Sequence, residues 1–264
     1  GTISPGRWAD ILLISDLTKV KVEKVIINGE LVAEAGQMLV EIPKVEYPNT
    51  AKNTVNLSKE LEAKDFIIDA PNSKMNQVKV RVIEVVEAKV GTYAREATLP
   101  VEKGVVLNDI NQDIIKAAVI ERHRGTGSMG KGFVKGFNIK EGAVASTVAH
   151  DSHNLLVLGT NDEDMALAGN TLAKVGGGMV AVKNGEVIAL LPLPIAGLMC
   201  QEPAEVVAKK VEELDGAWKE LGCHMVSPFM TMALIALAVL PELRLTNRGL
   251  VDTINFRFVD LFLE

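Results

Sequence analysis

Cysteine is nearly absent: the chain has two, Cys200 and Cys223, among 264 residues. They form no Cys-x-x-Cys pair and no disulfide framework, and a reduced, cytoplasmic protein is the simplest expectation. There is no basic excess. The formal net charge is −6 and the pI about 5.4, which argues against a nucleic-acid partner, since such proteins carry a basic face. No apolar run reaches the roughly 18–20 residues needed to span a bilayer, and no charged-then-apolar leader resembles a signal peptide. The first residues, Gly1-Thr2-Ile3-Ser4-Pro5-Gly6, lack an initiator Met and run straight into a strand, as an internal segment of a longer chain would. What is present is ordinary globular composition, 48% hydrophobic and 23% charged, without a disorder signature.

The pattern along the chain predicts an α+β fold. Residues 1–43 read as all-β, with Asn28-Gly29 between two apolar runs as a hairpin turn. A polar stretch over residues 43–60, holding Pro48, Asn49, Lys52, Asn53 and Asn56, reads as a linker, so domains are placed at 1–48 and 49–264. Val78 to Ile83 opens with period-2 alternation, and Ile114 to Ile120 reads as a buried strand. Asn161 caps a helix whose first turn holds Asp162, Glu163 and Asp164 and whose apolar stripe is Met165, Ala168, Leu172 and Val175. Gly176 ends it, and Asn184-Gly185 marks a second hairpin. Pro203 suits a first helical position, with Val207, Val211, Leu214, Trp218 and Leu221 continuing at helical spacing to Gly222. Residues 229–240 predict a buried helix ending before Pro241. No internal repeat is visible.

The densest polar cluster is Ala149-His150-Asp151-Ser152-His153-Asn154, on a connection between two apolar strands, where functional groups are often displayed. Imidazoles and a carboxylate can hold a metal, move protons or hydrogen-bond a base edge. The plainer alternative is a turn whose Asp and Asn satisfy backbone groups. As a zinc site the run is incomplete, because a catalytic zinc needs about three protein ligands. His150 and His153 would point to opposite faces of an extended segment unless a turn brings them together. Glu121 and His123 share a face if the strand before them continues, which allows a carboxylate–imidazole pair; a solvated strand end is the alternative. Residues 125–132 match G-x-G-x-x-G and most of a phosphate-binding loop. Gly132, however, stands where Ser or Thr must ligate magnesium, and no helix follows, so nucleotide phosphate binding is rejected there in favour of a mobile, close-packing loop. Residues 191–199 could wall a pocket or a subunit interface, or simply fill the core. Arg244 and Arg248 read as surface or ion-paired, and Cys200 and Cys223 as structural.

Resemblance takes the reading further. Residues 1–11, Gly1-Thr2-Ile3-Ser4-Pro5-Gly6-Arg7-Trp8-Ala9-Asp10-Ile11, resemble the segment that follows the barrel in amidohydrolase-superfamily enzymes, where the chain returns to a small β-sandwich. Residues 25–32 resemble the next part of that sandwich. The remainder resembles the C-terminal domain of bacterial adenine deaminases, through Glu121-Arg122-His123, Gly125-Thr126-Gly127, the 149–154 run, Gly159-Thr160-Asn161-Asp162-Glu163-Asp164-Met165, residues 191–199 and Pro241-Glu242-Leu243-Arg244-Leu245-Thr246.

The resemblance implies a parent enzyme that hydrolyses adenine to hypoxanthine and ammonia in purine metabolism. Its chemistry would come from a manganese or iron centre, usually binuclear, built in a (β/α)₈ barrel from a His-x-His pair, a bridging carboxylate, further histidines and an Asp. This sequence has no His-x-His, and a barrel needs some 200 residues or more that are not here. The chain alone is therefore expected to bind no metal and to be inactive. His150, Asp151 and His153 are the catalytic candidates, and Glu121, His123, Ser152 and Asn154 the substrate-binding ones. Expected partners are adenine, the parent's own N-terminal barrel and further copies in a homo-oligomer. The competing expectation is a purely structural or oligomerisation domain with no part in the pocket.

Overall fold

In the computed structural model, which describes residues 1–263, the chain divides into two units, Gly1–Glu46 and a second beginning at Tyr47. The first is an antiparallel four-stranded sheet of β1 (Ile11–Asp16), β2 (Lys21–Ile27), β3 (Glu30–Glu34) and β4 (Gln37–Met38), paired in sequence order. The expected hairpin joins β2 to β3. Asn28 and Gly29 both have positive φ, +51° and +84°, the signature of a type I′ turn whose twist matches the flanking strands. None of residues 1–46 is buried.

The second unit is built on a nine-stranded sheet. Its strands are β5 (Gln77–Glu84), β6 (Tyr93–Glu102), β7 (Val105–Val106), β8 (Ile114–Ile120), β9 (Met129–Lys135), β10 (Ala143–Ser146), β11 (Leu155–Gly159), β12 (Gly178–Lys183) and β13 (Glu186–Pro192). They lie in the order β13-β12-β10-β11-β8-β9-β5-β6-β7, antiparallel except for the β5–β9 pair. A three-stranded sheet of β14 (Leu243–Thr246), β15 (Gly249–Asp252) and β16 (Arg257–Val259) completes the β-structure. Helix α1 (Asp162–Val175) covers one face of the large sheet. Helix α2 (Ala204–Glu220), the short α3 (Pro228–Ala233) and the small sheet cover the other. No sheet closes into a barrel among the described residues, and the α+β reading is borne out.

Strand β8 shows why its sequence is a continuous apolar run. Ile115, Ala117 and Val119 pack towards α2, while Ala118 and Ile120 pack towards α1. A strand covered on both faces has no solvent side on which to alternate. The one charge in it, Lys116, is 5% exposed and lies 2.6 Å from Asp162 in the first turn of α1, so the buried cation is paired. Helix α1 begins where its capping residue predicts: Asn161 Oδ1 accepts the Asp164 N–H at 2.7 Å, and Gly176 at φ +82° ends it.

Several expectations need correction. Residues 229–240 do not form one buried helix. The helix α3 stops at Ala233, a short 3₁₀ turn follows (Leu234–Ala236), and Met230 and Val239 are exposed. The carbonyls of Leu234 and Leu240 instead accept hydrogen bonds from Arg244. Arg244 is fully buried rather than on the surface, its guanidinium also bonded to the carbonyls of Val90 and Pro241, and burial alone pulls its pKa down to about 10. Pro203 precedes α2 by one residue. Much of the stretch read as linker packs into the second unit: the Asn56 N–H donates to the Arg122 carbonyl at 2.6 Å, and the Ala196 N–H to that of Ala51 at 2.6 Å.

Within the glycine-rich segment 125–132 the second half is strand, and no helix follows it directly. Gly130 and Gly132 lie in β9 facing the β14–β15 turn, and a side chain at Gly130 would overlap the Thr246 carbonyl oxygen. Gly130→Ala is therefore expected to lower stability by about 1–3 kcal/mol through overpacking. Gly216→Ala, inside α2 with nothing within 4 Å of the new methyl, should raise it by about 0.5–1 kcal/mol. Thermal melts of the two variants check both signs.

Candidate functional site

Residues 149–154 connect β10 to β11, adjacent antiparallel strands in which Ser146 pairs with Leu156. The connection closes on itself. The His153 N–H donates to the Ala149 carbonyl at 2.7 Å, and the Ala149 N–H donates to His153 Nδ1 at 3.3 Å. His153 adopts φ +49° to make this turn. The His150 N–H donates to the carbonyl of Ala233, at the end of α3. Reversing the chain within four residues puts both imidazoles on one side, their ring centres 5.5 Å apart and edge to face at 70°. The third histidine arrives from the end of β8: His123 Nε2 lies 2.7 Å from the Ser152 carbonyl oxygen. Asp151, Ser152 and His123 are exposed and His150 and His153 partly so, so the cluster faces solvent from a fixed backbone.

Glu121 does not pair with His123. Its carboxylate turns back on its own chain and accepts the N–H groups of His123, Arg124 and Thr126 and the Thr126 hydroxyl, at 2.5–3.0 Å. Burial by itself would raise its pKa, but these four donors outweigh it and hold the carboxyl at about 2. Asn154 is buried, its Nδ2 donating to Asn247 Oδ1 at 3.3 Å. The structure thus gathers His123, His150, Asp151 and His153 at one surface with Ser152 between them, and engages the polar atoms of Glu121 and Asn154 internally.

Sequence reasoning misses Arg122, between the two residues it singled out. Arg122 is 1% exposed. Its Nε donates to the His153 carbonyl at 2.5 Å, Nη1 to the Thr54 carbonyl and hydroxyl, and Nη2 to the Ala196 carbonyl. An arginine two residues after an apolar β-branched run was the available signal. The His153 pKa is lowered from its ordinary 6.5, first by burial and then by the positive surroundings of His150 and Arg122. With Nδ1 accepting from Ala149, the neutral ring carries its proton on Nε2. Among the described residues no group of three or more His, Cys, Asp or Glu side chains is placed to hold a metal ion.

Comparison with known proteins follows from this geometry. Residues 89–257 match the family model described as the adenine deaminase C-terminal domain. The chain belongs to that family. The 149–154 turn, Arg122 and Arg244 all lie inside the matched region. Adenine deaminases of Moorella thermoacetica and Clostridium botulinum are each 58% identical to it, over 99% and 100% of its length. That of Mesorhizobium japonicum is 48% identical over 99%. The chain spans about 44% of the length of the Moorella and Clostridium relatives. The resemblance drawn from the motifs is borne out at the level of the family.

Two measurements follow. Arg122→Met strips donors from three backbone carbonyls in a buried place and should destabilise the chain by about 2–4 kcal/mol in chemical denaturation. Glu121 has a folded pKa of about 2 against an ordinary 4.5, so its contribution is fully present above pH 4.5 and lost as pH falls towards 2. His153, whose folded pKa is depressed below 6.5, adds a separate loss on acidification that starts near 6.5. Glu121→Gln is expected to lower stability at pH 7 by about 1–2 kcal/mol and to flatten the dependence of Tm on pH below 4.5 only, leaving the His153 step in place.

Proposed function

We propose that the protein containing this chain hydrolyses adenine to hypoxanthine and ammonia in purine salvage and catabolism. In this reading the chain is an accessory domain whose 149–154 turn closes over, or orders, an active site in the parent's own barrel. The observation that carries it is the gathering of His150, Asp151 and His153 on one closed, outward-facing turn, met by His123 from the end of β8, in a chain of the adenine deaminase C-terminal domain family. In this reading the binuclear manganese or iron centre lies in the barrel; among the described residues of this chain no group of three or more His, Cys, Asp or Glu side chains is placed to hold it. No step is therefore routed through a metal here.

The chain's own groups suit recognition and proton handling. Neutral His153 presents Nε2–H as a donor, and a purine ring offers nitrogen acceptors for it. His150, and Asp151 exposed to solvent, can hold or pass a proton beside it. The enzyme is proposed to be a cytoplasmic homo-oligomer. A second reading, in which the domain serves assembly alone, draws on exposed apolar residues around α3: Val226 is 83%, Met230 58% and Val239 67% exposed. Such residues together mark interaction surfaces.

Ammonia release from adenine separates the readings. The 264-residue chain supplied with Mn²⁺ or Fe²⁺ is expected to show no turnover. In the full-length enzyme, alanine at His150, Asp151 and His153 together is expected to lower kcat/KM by about 10²-fold or more. An unchanged kcat/KM would sink the accessory role and leave the assembly reading, which Met230→Glu should then expose as a lower mass in sedimentation.

A further inference from the structure

A second feature lies away from the histidine turn and owes nothing to it. Between β5, β9 and the β15–β16 hairpin runs a cleft of about 750 Å³, within the range of small-molecule sites. Four cationic side chains line it: Arg81, Lys131, Arg248 and Arg257. Among the described residues, the one carboxylate in its lining is that of Asp260. The chain as a whole is acidic, with a net charge of −6, so this concentration of positive charge runs against the composition.

The arginines are weakly neutralised, whereas the ammonium of Lys131 feels the carboxylates of Asp69, Asp65 and Asp162. Among the described residues, Arg81, Lys131 and Arg248 form no ion pair, and Arg257 reaches Asp252 only at 3.9 Å. Two are instead anchored by backbone. Lys131 Nζ donates to the carbonyl of Asp65 at 3.1 Å and to that of Ile67. Arg81 Nη1 donates to the Asp260 carbonyl at 2.7 Å and, more weakly, to that of Phe262. Arg248 is held over the Phe258 ring, 5.2 Å from its centre. These contacts fix the positions of the charges while leaving guanidinium N–H groups free to donate. A concave surface lined by one sign of charge focuses potential into the cleft, and guanidinium forks match phosphate oxygens bidentately.

We propose that this cleft binds a phosphate-bearing small anion, with Arg248 and Arg257 as its outer donors and Arg81 adding to the field within. The shared chemistry is a dianionic phosphate, which a free phosphate ion and a nucleoside monophosphate both carry.

Calorimetric titration of the 264-residue chain at low ionic strength, with inorganic phosphate and separately with adenosine 5′-monophosphate, tests it. Saturable one-to-one binding of at least one is expected. Arg248→Gln combined with Arg257→Gln, both on exposed side chains, should weaken it about tenfold or more. Lys19→Gln with Lys209→Gln removes the same charge elsewhere and should change affinity by no more than about twofold. Tighter binding of the nucleotide identifies a nucleotide as the source, and equal affinities identify free phosphate; either result supports the site. No saturable heat from either ligand up to about 10 mM, far weaker than any working small-molecule affinity, overturns it, as does an equal loss in the control pair. If the double variant melts early, amide shifts of Gly249, Leu250 and Val259 on adding phosphate to the unaltered chain decide: shifts there support the cleft, and their absence overturns it.

Discussion

Arg122 is the constraint on which the arrangement of the histidine turn depends. It is a buried cation without a carboxylate in contact, surrounded by carbonyl dipoles from three separate segments: Thr54 before the sheet, His153 in the turn, and Ala196 after β13. The segment holding Thr54 is held twice, because the Arg122 carbonyl also accepts the Asn56 N–H. A planar fork of five donors can tie several strands of irregular backbone at once, which an ammonium on a flexible stem cannot. The packing confirms how tight the knot is: a side chain at Gly197 would fall 2.8 Å from the Arg122 terminal nitrogens, so only glycine fits there. Burying such a charge is costly, and the cost is offset only while every carbonyl stays in place. That makes the turn rigid as a consequence of stability, not as a separate device.

Arg244 repeats the solution on the other face of the sheet. Its guanidinium collects the carbonyls of Val90, Leu234, Leu240 and Pro241; of these, that of Leu234 is the one a helix over 229–240 would have satisfied within itself. This is why the apolar run around residues 229–240 reads as helix and is not one. Local propensity favours the helix, but the arginine contributed from β14 competes for its carbonyls, and no pattern of neighbours along the chain reveals a donor that arrives from tertiary contact.

What was legible in the sequence obeys short-range rules. Asn28-Gly29 and Asn184-Gly185 turn the chain because their backbone conformations require it, Asn161 caps α1, and β8 is apolar on both faces because both are covered. The candidate cluster was legible as density of polar residues, but not as geometry. Whether His150 and His153 meet depends on the closed turn, and whether Glu121 serves His123 depends on where backbone N–H groups lie. Glu121 resolves the second question by filling the N–H nest of its own loop. A carboxylate already satisfied by four donors has little reason to leave for an imidazole.

The two surfaces singled out here are chemically unlike, yet joined by a short polar chain. Asn154, which ends the histidine turn, donates to Asn247 Oδ1. Asn247 in turn exchanges hydrogen bonds with Ser128, its Nδ2 donating to Ser128 Oγ and its carbonyl accepting from it. The next residue, Arg248, lines the cationic cleft. Contiguity of this kind is not itself coupling, which requires an element with two arrangements that both sites bias. The β14–β15 turn that carries Asn247 and Arg248 meets that description only in part. Its Thr246 end is pressed against Gly130 and its Thr246 hydroxyl accepts the Arg248 N–H, whereas the Arg248 side chain is exposed and rests on the Phe258 ring. Movement at the cleft would thus be absorbed first by the Arg248 side chain, and would reach Asn154 only if it carried the Asn247 backbone with it.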